Sequence, residues 1–225
     1  MNERWDIRAF LLDMDGTLLD TETVYFEALR AAMEALGSTD DPVALFRTMI
    51  GVPGPRCEAM LLERYGRDFP LAQFNAVFNA RCMEVLEAGL PLKRGVVELL
   101  DALREAGPPY AIVTSTSRRT AEKHLTLAGI RTRFDVIVTG SDITHGKPHP
   151  EPYLLGAERL GAKPVHCLAV EDSGPGIASA HAAGAITVMV PDIVPPTPET
   201  RDKCAAVLPD LHALLALLRE KGTLG

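Results

Sequence analysis

The chain has 225 residues, of which 47% are hydrophobic and 24% charged, and 23 Lys+Arg against 30 Asp+Glu leave a formal net charge of −7. That balance excludes a disordered or low-complexity chain and argues against a duplex nucleic-acid binder, which needs a basic face. The longest uncharged apolar stretches fall short of the roughly 18 residues of a membrane span, and Met1 to Asp6 lacks the basic end and apolar run of a secretory signal.

In chain order, Arg8–Leu12 is a short apolar run that ends at Asp13 and reads as a strand buried on both faces. From about Leu18 to Leu92 no strand is evident. Glu22–Leu36, Pro42–Ile50, Pro55–Tyr65 and Leu71–Ala88 read as helices, with turns at Gly37, at Gly51-Val52-Pro53-Gly54 and at Gly66. A crossover between parallel strands needs only about a dozen residues, so this stretch predicts an inserted helical subdomain. Alternation then takes over. Helices over Val96–Ala106, from a Ser117 cap through Ala128, and over Pro150–Leu160 separate apolar runs at Tyr110–Val113, Asp135–Val138, Cys167–Val170 and Ile186–Val190. Pro195 to Pro198 reads as a stiff loop and Leu208–Lys221 as a last helix. The pattern predicts an α/β fold, a doubly wound, three-layer, Rossmann-like parallel sheet. Its core comprises residues 1–17 and 93–225, and an all-helical insert occupies 18–92. Cys57, Cys82, Cys167 and Cys204 form no CxxC, which fits reduced thiols in a cytoplasm.

Four segments carry chemistry. Asp13 and Asp15 stand two apart at the end of the first strand, so in extended chain they point to one side, and Gly16 then allows a sharp turn. Ligands of open α/β sheets bind beyond the carboxyl ends of strands. Thr114-Ser115-Thr116-Ser117 brings four hydroxyls to a strand end that leads into a helix, an arrangement suited to an anion or to plain helix capping. Lys147 lies in the proline-stiffened Gly146-Lys147-Pro148-His149-Pro150, where its compact charge can neutralise a carboxylate or phosphate. Glu171-Asp172 closes another buried strand ahead of a glycine-rich turn, and hard oxygen ligands favour Mg²⁺ over zinc.

In this order the four segments resemble the haloacid dehalogenase superfamily of phosphotransferases, over essentially the whole chain. They are most similar to subfamily IA with a helical cap, which holds β-phosphoglucomutase and small sugar- or polyol-phosphate phosphatases. The resembling motifs are Asp13-Met14-Asp15-Gly16-Thr17-Leu18-Leu19-Asp20-Thr21-Glu22, Gly146-Lys147-Pro148-His149-Pro150-Glu151-Pro152-Tyr153-Leu154 and Glu171-Asp172-Ser173-Gly174-Pro175-Gly176-Ile177. The resemblance implies a phosphoryl-transfer enzyme acting through an aspartyl-phosphate. Asp13 would be the nucleophile and Asp15 the general acid and then base. Ser115, with the backbone N–H of Thr116, would hold the phosphoryl group, Thr114 being the alternative hydroxyl, and Lys147 would balance the charge. Mg²⁺ would bind Asp13, the Asp15 carbonyl and Asp172, with Glu171 direct or through water. The implied partner is a small phosphorylated metabolite, met without nucleic acid or membrane by a monomer, with a dimer as the alternative.

The same resemblance makes Glu22 an acceptor for a substrate hydroxyl, or else a glutamate favoured by its helix dipole, and leaves Arg47 and Arg56 as further cap contacts. Tyr25 stands where β-phosphoglucomutases carry a histidine, and Gly51 to Arg56 lacks their arginine position. Both departures favour a phosphatase over a mutase.

Overall fold

The structure, a computed structural model, describes residues 5–50, 52 and 54–224. Gly51 and Pro53 of the expected turn, and Met1 to Arg4 of the leader reading, lie outside the described residues. The chain divides into two compact units, one of residues up to Asp20 and from Pro91 onward, the other Thr21–Leu90.

The first unit is built on a six-stranded, all-parallel sheet: β1 (Ala9–Leu12), β2 (Tyr110–Val113), β3 (Val136–Val138), β4 (Cys167–Glu171), β5 (Ile186–Met189) and β6 (Ala206–Val207), in the order β3-β2-β1-β4-β5-β6. The order reverses between β1 and β4, where β1 pairs with β2 on one side and β4 on the other. Crevices at such switch points are where open α/β sheets bind ligands. β1 is buried along its whole length, as a parallel strand covered on both faces must be.

The second unit packs four helices. α1 (Thr21–Ala35) buries the stripe Val24, Ala28, Leu29, Ala32 and Met33. α2 (Pro42–Arg47) starts where the Asp41 carboxylate accepts from the Val43 N–H at 2.9 Å, with Pro42 at its first position. It stops at Arg47, short of the expected Ile50, because the Thr48 hydroxyl donates to the Leu45 carbonyl at 2.7 Å and closes the last turn. α3 (Gly54–Tyr65) fully buries only Leu61, and α4 (Leu71–Ala88) only Phe74. The rings of Tyr65, Phe69, Phe74, Phe78 and Tyr25 form a run with successive centroids 5.2 to 6.4 Å apart.

The helices of the sheet unit are α5 (Val96–Ala106), α6 (Arg118–Leu127), α7 (Glu151–Arg159), α8 (Gly174–Ala182), α9 (Pro198–Asp202) and α10 (Leu211–Glu220). Ser117 caps α6 as expected, its hydroxyl accepting from the Thr120 N–H. Three details differ from the sequence reading. α9, which the sequence reading does not include, starts at Pro198, the last residue of the expected loop, because Pro198 sits at its first turn and the Thr197 hydroxyl accepts from the Thr200 N–H. β6 is too short to show a period. The Leu208 N–H continues its ladder to the Met189 carbonyl, so the last helix begins only at Leu211, behind an Asp210 cap on the Ala213 N–H.

Candidate active site

The Asp13 N–H donates to the Val170 carbonyl at 3.0 Å, so the β1–β4 ladder runs one residue past β1 and delivers the Asp13 side chain at the switch point, 8% exposed. The chain then folds back sharply: the Leu18 and Leu19 N–H groups both donate to the Met14 carbonyl. Gly16 makes this turn at φ +82°, and a Cβ there would strike the Asp172 carboxylate. Gly176 is constrained in the same way, since its missing Cβ would occupy the place of the Glu171 carboxylate.

Lys147 links the two strand ends. Its Nζ donates to Asp13 Oδ1 and to Glu171 Oε1, each at 2.5 Å, and to the Val113 carbonyl at the end of β2 at 3.0 Å. Side-chain exposure is 7% for Lys147 and 0% for Glu171. Every group bonded to Glu171 is a donor: Tyr153 Oη at 2.7 Å and Lys147 on Oε1, and the Ser173 hydroxyl at 2.9 Å and N–H at 3.3 Å on Oε2. Ser173 also caps α8 through the Gly176 N–H, at 3.1 Å from its hydroxyl oxygen. Burial pushes the Asp13 carboxyl up to about 8; the Lys147 ammonium opposes this, while Glu171 and Asp15 add repulsion. Burial lowers the proton affinity of Lys147, but the two carboxylates outweigh it and hold the ammonium charged.

Asp15 faces the hydroxyl-rich end of β2. Its Oδ2 accepts from Thr116 Oγ1 at 2.7 Å and from Thr114 Oγ1 at 3.4 Å, and Thr114 Oγ1 accepts from the Thr116 N–H at 3.1 Å. Thr114 is buried and Ser115 exposed. Asp172 is half-buried and its Oδ1 accepts from the Thr17 hydroxyl at 3.4 Å.

Asp13, Glu171 and Asp172 each offer an oxygen, all within 4.8 Å of one another. Two of these carboxylates already share one ammonium, so the cluster holds more negative charge than Lys147 balances. A hard oxygen donor set with surplus negative charge fits a divalent cation.

The structure therefore brings Asp13, Asp15, Thr114, Ser115, Thr116, Lys147, Glu171 and Asp172 to the carboxyl end of one sheet. Glu22 lies elsewhere in the sequence, in the first turn of α1 in the helical unit. In the same unit Arg47 ends α2 and Arg56 pairs with Glu63 along α3 at 2.5 Å. Two buried polar side chains at the site have roles that the sequence reading does not assign, Tyr153, although it stands in the resembling motif that begins at Gly146, and His124. Tyr153, fully buried on α7, donates to Glu171, and burial pushes its phenol well up, with the Glu171 charge adding to the effect. His124, buried on α6, places Nδ1 3.8 Å from Asp15 Oδ1 and makes no hydrogen bond there among the described residues. Each occupies an inward position of an amphipathic helix, where it reads as core; a polar-tipped aromatic at such a position is the one available signal.

A doubly wound sheet with paired acids and a lysine at its switch point defines an α/β enzyme suited to phosphoryl chemistry. Residues 7–184 match the family model of the haloacid dehalogenase-like hydrolases, and the chain belongs to that family. A phosphorylated carbohydrates phosphatase of Thermotoga maritima is 36% identical over 180 residues, 79% of this chain and 82% of its own length. Hexitol phosphatase A of Escherichia coli (strain K12) is 33% identical over 189 residues, 81% and 82% of the two chains. The crystal structure of a HAD family hydrolase from Deinococcus radiodurans R1, with bound phosphate and sodium, superposes with a TM-score of 0.83 at 29% identity, covering 98% of each chain.

Proposed function

We propose that the chain is a Mg²⁺-dependent phosphomonoesterase of small phosphorylated sugars, polyols or hydroxy acids. The observation that carries this reading is the convergence of Asp13 and Glu171 on Lys147, each at 2.5 Å, with Asp15 beside the Thr114–Thr116 hydroxyls. The phosphatases named among its relatives support it.

A carboxylate oxygen of Asp13 attacks phosphorus, and the bond from phosphorus to the alcohol oxygen breaks. Asp15 gives its proton to the departing alkoxide. Asp15, now a carboxylate, takes a proton from water, whose oxygen attacks the same phosphorus. Phosphate leaves and the Asp13 carboxylate is restored. Ser115 and the Thr116 N–H bind the phosphoryl oxygens, with Thr114 as the alternative hydroxyl. Lys147 holds the nucleophilic oxygen in place, while Glu171, fixed by Tyr153 and Ser173, holds Lys147. Asp13, Asp172 and the Asp15 carbonyl would hold Mg²⁺, with Glu171 bound directly or through water. When bound, the ion offsets the repulsion between a phosphate dianion and these carboxylates.

The reading extends to the rest of the chain. The helical segment, 18–92 in sequence, serves as the family's cap and selects the alcohol, with Glu22 accepting one of its hydroxyls. The four free cysteines support a reducing, cytoplasmic setting. No helix among the described residues is long and apolar enough to cross a membrane.

The test is a phosphate-release screen over sugar, polyol and hydroxy-acid phosphates with Mg²⁺ and with EDTA. β-Glucose 1-phosphate is also followed by phosphorus NMR. Release that EDTA stops and Mg²⁺ restores is expected. Isomerisation to glucose 6-phosphate without release would make the chain a mutase, and turnover in metal-free buffer would remove the ion from the reading.

A further inference from the structure

On either side of Lys147, outside the carboxylate cluster, the loop His145-Gly146-Lys147-Pro148-His149-Pro150-Glu151 gathers a second set of ligating groups. His145 Nδ1 lies 2.9 Å from Glu151 Oε2, and His149 Nδ1 lies 3.9 Å from the same oxygen. The two imidazoles face each other with centroids 4.6 Å apart, and one ligand atom from each of the three side chains falls within 4.8 Å of the others.

Glu151 is held in place before any ion arrives. Its Oε1 accepts from the Thr144 N–H at 2.7 Å and its Oε2 from the His145 N–H at 2.9 Å. His145 Nδ1 occupies the second lone pair of Oε2, so that oxygen ligates once the ion displaces this hydrogen bond. His149 Nδ1 accepts from the Glu151 N–H at 3.2 Å, so that nitrogen carries a lone pair rather than a proton. Ligand bonds of about 2.0 to 2.1 Å at tetrahedral angles place ligand atoms roughly 3.3 Å apart, between the two nitrogen-to-oxygen distances here. Binding therefore asks His149 Nδ1 to close on Glu151 Oε2 by roughly 0.6 Å, and it displaces two hydrogen bonds, Glu151 N–H to His149 Nδ1 and His145 Nδ1 to Glu151 Oε2. Both imidazoles are half or more exposed, which leaves the remaining coordination positions to water.

We infer that His145, His149 and Glu151 form a second metal site, selective for a borderline ion such as Zn²⁺. Ligand chemistry keeps it distinct from the carboxylate cluster: two imidazoles and one carboxylate favour Zn²⁺, whereas Mg²⁺ prefers all-oxygen surroundings. An ion held there clips together both flanks of Lys147 and so stiffens the segment that carries the lysine.

The test is calorimetric titration of Zn²⁺ into the full chain under saturating Mg²⁺, with His145→Ala, His149→Ala and the double variant. A cobalt titration read by visible absorption accompanies it. One Zn²⁺ per chain is expected, persisting in Asp172→Asn. Affinity falls at least about tenfold in each histidine variant, as even second-shell losses cost 10–100-fold, and binding disappears in the double variant. The cobalt complex shows d–d bands without a thiolate charge-transfer band, which separates this site from the four cysteines. Absence of binding, binding unchanged in the double variant, or a thiolate band would each overturn the site. Both histidines are exposed, and circular dichroism of each variant is the check that it folds.

Discussion

In the sheet unit, β1 and β4 are buried from end to end, and Asp13 and Glu171 leave them almost fully enclosed. In the helical unit, α3 and α4 fully bury one side chain each, and much of the packing falls to partly exposed aromatic rings. The first arrangement fixes atoms. The Glu171 carboxylate is held by four hydrogen bonds, from Lys147, from Tyr153 on α7 and from the hydroxyl and N–H of Ser173 at the start of α8, so it has little freedom. The second is thinly packed, and thin packing lowers the free energy of local opening.

The sharpest way to break that comparison is Asp13→Asn. Phosphate release should drop by at least about 10⁴-fold. The melting temperature should hold, since Lys147 keeps Glu171 as its partner. Full turnover with unchanged melting would remove Asp13 as nucleophile. Lys147→Ala should cost about 3–5 kcal/mol in denaturant unfolding, because Glu171 loses its counter-charge at zero exposure. Wild-type stability in that variant would mean the network positions groups without holding the sheet unit together.

Phe74→Ala should cost about 3–5 kcal/mol within the helical unit. Hydrogen exchange should rise over residues 21–90 and stay low in β1 and β4. A uniform rise would show the two units unfolding together. The smallest effect is at Asp142. Burial works against its charge, but the hydroxyl and N–H of Thr139, with Arg159 and Arg118, outweigh it and hold the carboxyl at about 2. Its folded value lies below its unfolded one, so its contribution is complete above about pH 4 and is lost as pH falls toward 2. Asp142→Asn should cost about 1–2 kcal/mol at pH 7. The difference from wild type should shrink as unfolding is measured below pH 4.

How much of this a sequence discloses depends on how far each residue's role is local. Asp13 and Asp15 are legible because an apolar run ends at them, and Lys147 because prolines follow it closely on the chain. Glu171 and Asp172 are legible as an acidic pair before a glycine-rich turn. Tyr153 stands in a resembling motif but its role is not legible, because its partner lies 18 residues away and its helical spacing is that of a core residue. His124 is hidden for the same reason, standing far along the chain from Asp15. β6 depends on its neighbour β5 for its ladder, and two residues carry no period. α9 turns on one threonine cap and one proline, which within Pro195-Pro196-Thr197-Pro198 read as a loop.

The chain leaves the sheet unit at Asp20 and returns at Pro91, and those two residues are hydrogen-bonded, Asp20 N–H to Pro91 carbonyl at 2.9 Å. The Lys93 N–H donates to the Leu18 carbonyl at 2.9 Å, and the Lys93 ammonium lies 2.6 Å from Asp192 and 3.6 Å from Asp20. The intervening seventy residues thus form a cassette whose two ends are already stapled together. Closing a loop between fixed ends costs only about 0.6 kcal/mol more for each doubling of its length. Selection could therefore lengthen, shorten or exchange this cassette without cutting a strand or moving Asp13, Lys147 or Glu171.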